Sequence, residues 1–274
     1  MTISNGYITR TNFINWLASP TAVSAADDLV IDDIIEQVSR FIDDSTGRRF
    51  YPFRKTRKYD IPDDGVLYLE DDLSEVYTLT NGDATVIADT DYILESVNDP
   101  PYWELKLRDV SDVDWEVDSD SSSEQVIELD GLWSYRPNYS VDGWTQVGTI
   151  AAALNISDLT FNMTAGHTAV TGQIWKVDNE IFQGSIATNA VTLIKRGDNG
   201  TTAATHLILA PVYMWNTYKV VQNAAYQIVT SVYKKRFGEN VSAVARVTGA
   251  GVVITPQDIP SMAQRIINNL ARLS

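Results

Sequence analysis

The stretch from Ile34 to Pro52, IIEQVSRFIDDSTGRRFYP, holds the end of one structural element and the start of another. Its apolar residues continue a pattern with helical spacing, formed by Ile31, Ile34, Ile35, Val38, Phe41 and Ile42. This spacing predicts an amphipathic helix of about five turns. Gly47 stands where helices commonly end in the left-handed conformation, and Arg48 and Arg49 add positive charge near that C-terminus. The stretch therefore predicts a helix that stops at Gly47 before a different kind of structure begins.

The residues after this helix, 51–149, contain short runs rich in β-branched and aromatic side chains, which are typical of strands. The runs are VLYLE, VYTLT, YILES, YWELKL and VIELDGLWSY. Turn-forming residues separate them, as at Pro62–Gly65 and Asn98–Pro101. An acidic, serine-rich tract at 109–124 is predicted to be a solvated loop. Its alternating carboxylates suit calcium, but it lacks the glycine and the terminal glutamate of an EF-hand loop.

The composition changes again at about residue 148, where charged residues become rare and Ala, Thr, Asn and Gly become frequent. Strand-like runs alternate with turns and end in the sequence GDNGTTAATH: they are LTFNMT, QIWKVDNEIFQGS and AVTLIKRG. Gly148 and Pro211 flank this segment and mark plausible boundaries. The pattern predicts a small β module inserted into the chain at 148–210.

Helical spacing returns in the last quarter of the chain. One apolar face consists of Tyr218, Val221, Ala225, Ile228 and Val232. A final helix is predicted to open at Thr255 as N-cap, with Pro256 at the first position and Asp258 in the first turn. The apolar face of this final helix is predicted to consist of Ile259, Met262, Ile266, Leu270 and Leu273.

These segments predict an α+β fold, with a helical body built from the N- and C-terminal helices, a β-rich middle and an inserted small β module. The corresponding domains are a helical core formed by 1–50 and 211–274, a β-rich acidic extension at 51–147, and the module at 148–210.

The charge of the 274-residue chain is −15 and unevenly distributed. Residues 51–149 hold 7 basic and 23 acidic side chains, whereas residues 211–274 hold 7 basic and 2 acidic ones. A protein that binds nucleic acid by neutralising phosphates would need the opposite sign over most of this surface. The asymmetry favours a part of an assembly that has two different neighbours. The N-terminal residues lack the pattern of a signal peptide, so we expect production in cytosol-like conditions.

Residues that could carry catalysis are few. The chain has no cysteine and only two histidines, His167 and His206. Neither histidine belongs to an obvious Ser-His-Asp arrangement, and His206 is expected in a surface turn or at a strand start. Asp178 and Glu180 lie two apart on a predicted strand and so share a face, which we interpret as a solvated face. No phosphate-binding glycine loop occurs. We expect no catalytic residue, no metal and no cofactor.

The segments, taken in order, resemble the head–tail connector proteins of tailed bacteriophages. DDLVIDDIIEQVSRFIDDSTGRRFYP is similar to the N-terminal helix of that family, which ends in a Thr-Gly-Arg-like stop. The β-rich continuation, the module with GDNGTTAATH and the C-terminal segment opening at ITPQDIP complete the resemblance. It covers nearly the whole chain, although no single motif is highly specific. The β module alone would be weak evidence, because similar modules occur in other virion proteins.

The resemblance implies a structural, non-enzymatic role. Connectors of this kind form a ring, usually of twelve copies, beneath the portal, where they extend the DNA channel and join the head to the tail. The implied partners are other copies of the chain, the portal protein, and tail or head-completion proteins. Packaged double-stranded DNA would pass through the ring without sequence-specific binding. The implied location is the head–tail interface of the virion, after synthesis in the cytoplasm of the host, with no membrane contact.

The resemblance also assigns candidate contact residues. In the family, the C-terminal region commonly reaches the portal, and the matching basic and apolar residues here are Lys234, Lys235, Arg236, Arg246, Val252, Ile254, Arg265 and Arg272. The end of the first long helix supplies candidates for the contact between neighbouring subunits: Asp43, Asp44, Arg48, Arg49 and Phe50.

Two alternatives stay open. One is another virion structural part, such as a tail-fibre or tail-tip protein, although such proteins are usually dominated by β structure and the predicted helices at both ends argue against it. The other is a hydrolase that uses two carboxylates from the acidic middle, although the spacing of these residues selects no particular pair.

Overall fold

The computed structural model describes residues 3–17, 25–237, 247–248, 251–252 and 259–272. The helices in these residues are α1 (Arg10–Trp16), α2 (Ala25–Thr46), α3 (Tyr139–Asp142), α4 (Lys219–Phe237) and α5 (Ser261–Leu270). The chain divides into two compact units, one formed by Met1–Tyr51 with Trp144–Ser274 and the other by Pro52–Gly143.

The unit at Pro52–Gly143 is built around one antiparallel sheet with the strand order β1-β6-β2-β5-β4, in which β3 pairs with the end of β2. The strands are β1 (Phe53–Tyr59), β2 (Val66–Thr80), β3 (Val86–Ile87), β4 (Tyr92–Glu95), β5 (Tyr102–Leu107) and β6 (Ile127–Trp133). The long strand β2 pairs with β5 through its first half and with β6 through its second half. One face of the sheet is buried, and its core consists of Leu67, Leu69, Leu73, Leu79, Ile87, Tyr92, Leu105, Ile127, Leu129 and Trp133.

The other unit contains a second antiparallel sheet with the strand order β7-β12-β9-β10-β11-β8. Its strands are β7 (Trp144–Thr149), β8 (Thr160–Asn162), β9 (Ile174–Val177), β10 (Glu180–Ala187), β11 (Ala190–Leu193) and β12 (Pro211–Trp215). Strand β10 pairs with β9 up to Gln183 and with β11 from Gly184 onward. A Cβ atom at Gly184 would lie 2.3 Å from the carbonyl oxygen of Thr192, so this close approach of two strands requires glycine.

The second sheet closes on itself. Just beyond β7 and β8, Ile150 and Met163 form an antiparallel bridge. The backbone N–H of Ala151 donates to Asn162 O at 2.7 Å, and that of Thr164 donates to Thr149 O at 2.9 Å. The outermost strands are thereby joined into a small barrel, which removes exposed sheet edges. Its interior is filled by apolar side chains, among them Val147, Ile150, Leu154, Trp175, Val177, Phe182, Val191 and Val212.

The helices of this unit come from both parts of the chain and pack on one another, since α2 contacts α4 and α5, and α4 contacts α5. The predicted apolar stripe of α2 is confirmed except at Phe41, because Ile31, Ile34, Ile35, Val38 and Ile42 are buried. The helix stop is also confirmed. Gly47 has a φ of 64°, and its N–H donates to Asp43 O at 2.9 Å, as expected for a left-handed helix end.

The predicted fold class is wrong. In the described residues, two antiparallel sheets with twelve strands dominate the molecule, and the helices are few rather than the body of an α+β fold. Residues Pro211–Trp215, which the prediction placed in the helical core, form strand β12 in the middle of the barrel sheet. The reason is that helical periodicity locates individual helices but carries no information on how much of the chain pairs into sheets. A hairpin of β13 (Val247–Thr248) and β14 (Gly251–Val252) adds a third, small sheet.

The prediction for the last helix needs a correction too. Helix α5 begins at Ser261 rather than just after Thr255, and Thr255, Pro256 and Asp258 lie outside the described residues. Ala263 and Ile267 are its buried side chains, whereas Met262 is 59% exposed. The buried positions therefore lie one residue beyond Met262 and Ile266 of the predicted stripe.

Candidate functional site

A network of charged side chains closes one part of the barrel around Glu180. Arg196 donates to both carboxylate oxygens of Glu180, from Nε and from Nη2, each at 2.8 Å. The backbone N–H groups of Gly197 and Ala204 donate to the same carboxylate at 2.8 and 2.9 Å. His206 completes the set, with its Nε2 2.9 Å from Glu180 Oε2. The carboxylate of Glu180 therefore accepts five hydrogen bonds in a place that water does not reach.

The second ring nitrogen of His206 also has a partner, since Nδ1 lies 2.7 Å from Asp178 Oδ2. The side chains of Glu180 and His206 are completely buried, while that of Asp178 is 62% exposed. Burial alone would lower the pKa of His206, but the hydrogen bonds and charges of Glu180 and Asp178 outweigh it and raise this pKa. When the ring is protonated, both of its nitrogens donate, and the imidazolium lies between two carboxylates.

The pKa of Glu180 shifts in the opposite direction to that of His206. Burial alone would raise the pKa of its carboxyl group, but the hydrogen bonds from Arg196, His206 and two backbone N–H groups lower it well below the usual range. The network thus contains two carboxylates, of Asp178 and Glu180, and two basic side chains, of Arg196 and His206. A substrate could not reach Glu180 or His206 without opening the barrel, so this arrangement is suited to holding structure rather than to catalysis.

Two predictions about this region are wrong. Asp178 and Glu180 do not share a solvated strand face, because Asp178 lies in the turn between β9 and β10 with a φ of 49°, and only Glu180 lies on a strand. His206 is 2% exposed and bridges Leu154 inside the barrel, so it is not a surface residue. The local sequence did contain one indication that Glu180 is buried, because this residue directly precedes the apolar pair Ile181 and Phe182.

The motif GDNGTTAATH supplies the turn that carries three of these groups to Glu180, namely the N–H groups of Gly197 and Ala204 and the ring of His206. Within it, the hydroxyl of Thr201 donates to Asp198 O at 2.7 Å and accepts from the N–H of Ile181 at 2.9 Å. Gly197 has a φ of 60°, in the left-handed region that favours glycine. The motif therefore forms a fixed turn that is tied to strand β10.

The N-terminal segment is attached to the same turn. Asn5 and Asn199 exchange side-chain hydrogen bonds at 2.9 and 2.8 Å, and the N–H of Asn5 donates to Gln183 Oε1 at 2.6 Å. The carbonyl oxygen of Asn5 accepts from Arg40 of α2 at 3.0 Å. A continuous chain of hydrogen bonds thus runs from Arg40 of α2 through Asn5 to the barrel.

The end of α2 holds the residues predicted to contact a neighbouring subunit. Asp43 accepts hydrogen bonds from Tyr7 Oη and from Arg40 Nε, the latter at 2.9 Å. Burial raises the pKa of Asp43 to about 6, against the opposing effect of Arg40. Phe50 has no exposed surface, and its N–H donates to Tyr7 Oη at 3.1 Å. Both predicted residues therefore contact other parts of their own chain.

The other three candidates for that contact lie nearer the surface. Asp44 and Arg49 are exposed, and Arg48 is half-buried. Arg48 Nε donates to Leu270 O at 2.8 Å, so it caps the C-terminal end of α5. Their role between subunits stays a prediction.

The residues predicted to contact the portal fall in three places. Lys234, Lys235 and Arg236 form the last turn of α4, where Lys234 is exposed. Arg265 is exposed on α5, and Arg272 follows that helix, with its backbone N–H donating to Thr46 O at 2.8 Å.

The remaining portal candidates lie in the segment between α4 and α5. Val252 is in strand β14, and Arg246 and Ile254 lie outside the described residues. Like the other candidates for portal contact, they stay predictions.

A carboxylate in α2 is held at an energetic cost. Asp32 Oδ1 is buried without a hydrogen-bond partner, while Oδ2 accepts from Arg10 at 3.0 Å. Burial raises the pKa of Asp32 to about 6, and the charge of Arg10 offsets only part of the shift. Because the folded state then binds this proton more tightly than the unfolded chain, the contribution to stability is largest below about pH 4 and is lost as the pH rises through 6.

Asp32→Asn is therefore expected to raise the free energy of unfolding by about 1 kcal/mol at pH 7.5, after allowance for solvent screening, and to change it little at pH 4. Urea unfolding at the two pH values measures both quantities. Asp33→Asn, at an exposed neighbouring position of the same helix, is the matched control and should have little effect at either pH. An Asp32→Asn variant that is less stable at pH 7.5 would mean that the ion pair with Arg10 outweighs the cost of burial.

No helix in the part of the chain that the structure covers is long and apolar enough to cross a membrane. Within the same residues, no group of three or more His, Asp or Glu side chains is arranged to hold a metal ion, and this includes the described acidic tract at 109–124.

The fold and these networks define an antiparallel β protein with a closed barrel and a cluster of helices drawn from separated parts of the chain. No protein-family model matches the chain, and a search of curated proteins gives no significant match. The resemblance to connector proteins therefore rests on the order of the sequence segments, and the role that it implies is a proposal.

Proposed function

We propose that the chain is a structural, non-enzymatic virion protein that forms a ring beneath the portal of a tailed bacteriophage and connects the head to the tail. The ring is of twelve copies, as in the family that the sequence resembles. It extends the DNA channel, and its other partners are the portal protein and tail or head-completion proteins.

The observation that supports this proposal most is the packing of α2 with α4 and α5. These helices come from the two ends of the chain, 1–50 and 211–274, although more than 170 residues separate the end of α2 from the start of α4. Arg48 strengthens the association through its hydrogen bond to Leu270 O. The helical segments at the two ends of the chain thus fold together in one unit rather than as independent helices.

The dominance of β structure favours a second candidate, a tail-fibre or tail-tip protein, because such proteins are usually rich in sheets. The two candidates differ in the assembly that they predict. Native mass spectrometry of the purified chain, alone and with the portal protein of the same genome, separates them. A ring-sized species or a complex with portal protein supports the connector, whereas a stable trimer that ignores portal protein supports the fibre part.

The contact with portal protein can be tested by reversing one exposed charge in the last turn of α4 and another on α5. The double variant Lys234→Glu/Arg265→Glu is expected to weaken binding to portal protein about tenfold or more. The portal surface that attracts the two basic side chains would repel the two acidic ones that replace them. Titration calorimetry or co-migration measures the loss. Deletion of 240–274 is a poorer test, since it removes Ala263 and Ile267 from the helical core.

The matched control for this experiment is Lys219→Glu, which reverses an exposed charge at the opposite end of α4. It should bind portal protein as the wild type does, and both variants should keep the wild-type melting temperature. Unchanged binding by the double variant would place the portal contact elsewhere on the chain.

A further inference from the structure

Three asparagines of the chain are directly followed by glycine: Asn5, Asn81 and Asn199. This order of residues favours deamidation, because glycine has no side chain to hinder the attack of its backbone nitrogen on Cγ of the preceding asparagine. The attack displaces ammonia and forms a cyclic imide, and water then opens this ring to aspartate or isoaspartate. An unfolded chain exposes all three sites to the reaction.

Two of these asparagines face each other in the folded chain, although 194 positions separate them in the sequence. Nδ2 of Asn5 donates to Oδ1 of Asn199, and Nδ2 of Asn199 donates to Oδ1 of Asn5. The two side chains are buried, and both residues have a left-handed backbone, with φ of 51° and 48°. In this Asn5–Asn199 pair each amide is donor and acceptor at once, so neither can change chemically without loss of a hydrogen bond to the other.

The charged groups beside the Asn5–Asn199 pair already have partners of opposite charge. The N–H of Asn199 donates to Asp198 Oδ1 at 2.8 Å, and the same oxygen lies 2.9 Å from Lys195 Nζ. Arg40 donates from Nη2 to the carbonyl oxygen of Asn5 at 3.0 Å and from Nε to a carboxylate of its own helix at 2.9 Å. A carboxylate in place of either amide would therefore add an unmatched negative charge to a buried site, which is unfavourable.

We propose that the Asn5–Asn199 pair is a deamidation site that folding protects, and that modification of either amide weakens the attachment of the N-terminal segment to the barrel. An amide that is attacked must leave its hydrogen bonds to the partner, so the reaction proceeds only when the pair opens. The product cannot rebuild the pair, because an oxygen replaces the Nδ2 donor and opposes the oxygen of the other amide. The pair lies within one subunit, so this inference is independent of the proposed ring.

The protection is tested by the rate of deamidation in the wild-type chain. Peptide mapping by mass spectrometry, after incubation at mildly alkaline pH with and without urea, follows each site separately. In urea, Asn5 and Asn199 should both deamidate. In the folded chain they are expected to react at least about a hundredfold more slowly, because only the opened form reacts. Folded-state rates close to those in urea would overturn the proposal, and so would the absence of deamidation in urea.

The consequence of the modification is tested with Asn5→Asp, which reproduces the aspartate product. This variant is expected to lower the melting temperature by about 5 °C or more at neutral pH. Compared with the wild type at the same pH, the loss should be smaller at about pH 4, because a protonated carboxyl group can again donate to Asn199 Oδ1. The matched control Asn162→Asp makes the same change at an exposed position of β8 and should melt as the wild type does. No loss with Asn5→Asp, or an equal loss at both pH values, would overturn the proposal.

Discussion

Glu180→Gln is expected to lower the free energy of unfolding by about 3–5 kcal/mol, because it removes one charge from a buried network and leaves its partners in place. The amide oxygen of glutamine can still accept hydrogen bonds, but its NH₂ group would face donors from Arg196, Ala204 or His206. The buried guanidinium of Arg196 would then lose the carboxylate that it contacts, and the protonated form of His206 would keep only Asp178 as a counter-charge. Since small proteins are stable by only about 5–15 kcal/mol, the variant should unfold far more readily.

Urea unfolding followed by tryptophan fluorescence measures this effect, because Trp175 lies in the barrel interior. The matched control is Asp178→Asn, which removes a carboxylate from the same histidine at a side chain that is 62% exposed. We expect it to cost less than about 1 kcal/mol. Equal effects of the two variants would show that burial of the network contributes nothing to its strength.

The same network makes stability depend on pH. The pKa of His206 is raised in the folded state, so its contribution is complete below the unfolded value of about 6.5 and is lost as the pH rises through the folded value. Glu180→Gln should weaken this dependence, because it removes the closest buried carboxylate from the imidazolium.

The sequence predicted individual helices and strands better than the pairing of the strands into sheets, for a physical reason. The stripe from Ile31 to Ile42 and the glycine at position 47 are local features, because a helix satisfies its hydrogen bonds within one stretch of chain. The barrel depends on pairing between distant strands, such as β7 with β12. No short window of sequence reports that Pro211–Trp215 lies between β7 and β9.

The charged network was missed for a related reason. Asp178, Glu180, Arg196 and His206 look like ordinary surface residues when each is considered alone, because charged side chains are usually exposed. Burial of Glu180 becomes favourable only when the turn at Gly197 brings Arg196 and two backbone N–H groups to it. That turn is a consequence of the folded barrel, so its partners could not be assigned from spacing.

Phe50→Ala is expected to lower the free energy of unfolding by about 3–5 kcal/mol, the usual cost of deleting a fully buried aromatic side chain. Phe50 has no exposed surface and packs edge-on against Tyr7, with the ring centroids 5.6 Å apart. Its carbonyl oxygen accepts from Trp215 Nε1 of β12 at 2.9 Å. The residue therefore joins the end of α2 to the N-terminal segment and to the barrel within one unit.

The neighbouring Arg49 provides the contrast, because it is exposed and was predicted, like Phe50, to lie between subunits. Arg49→Ala should leave urea unfolding within about 0.5 kcal/mol of the wild type. If Arg49 contacts a neighbouring copy, the same substitution should weaken the ring in native mass spectrometry. A Phe50→Ala variant with wild-type stability but no ring would instead require Phe50 to leave its buried position and contact the neighbour. The paired substitutions thus distinguish a residue that holds the subunit together from one that holds subunits to each other.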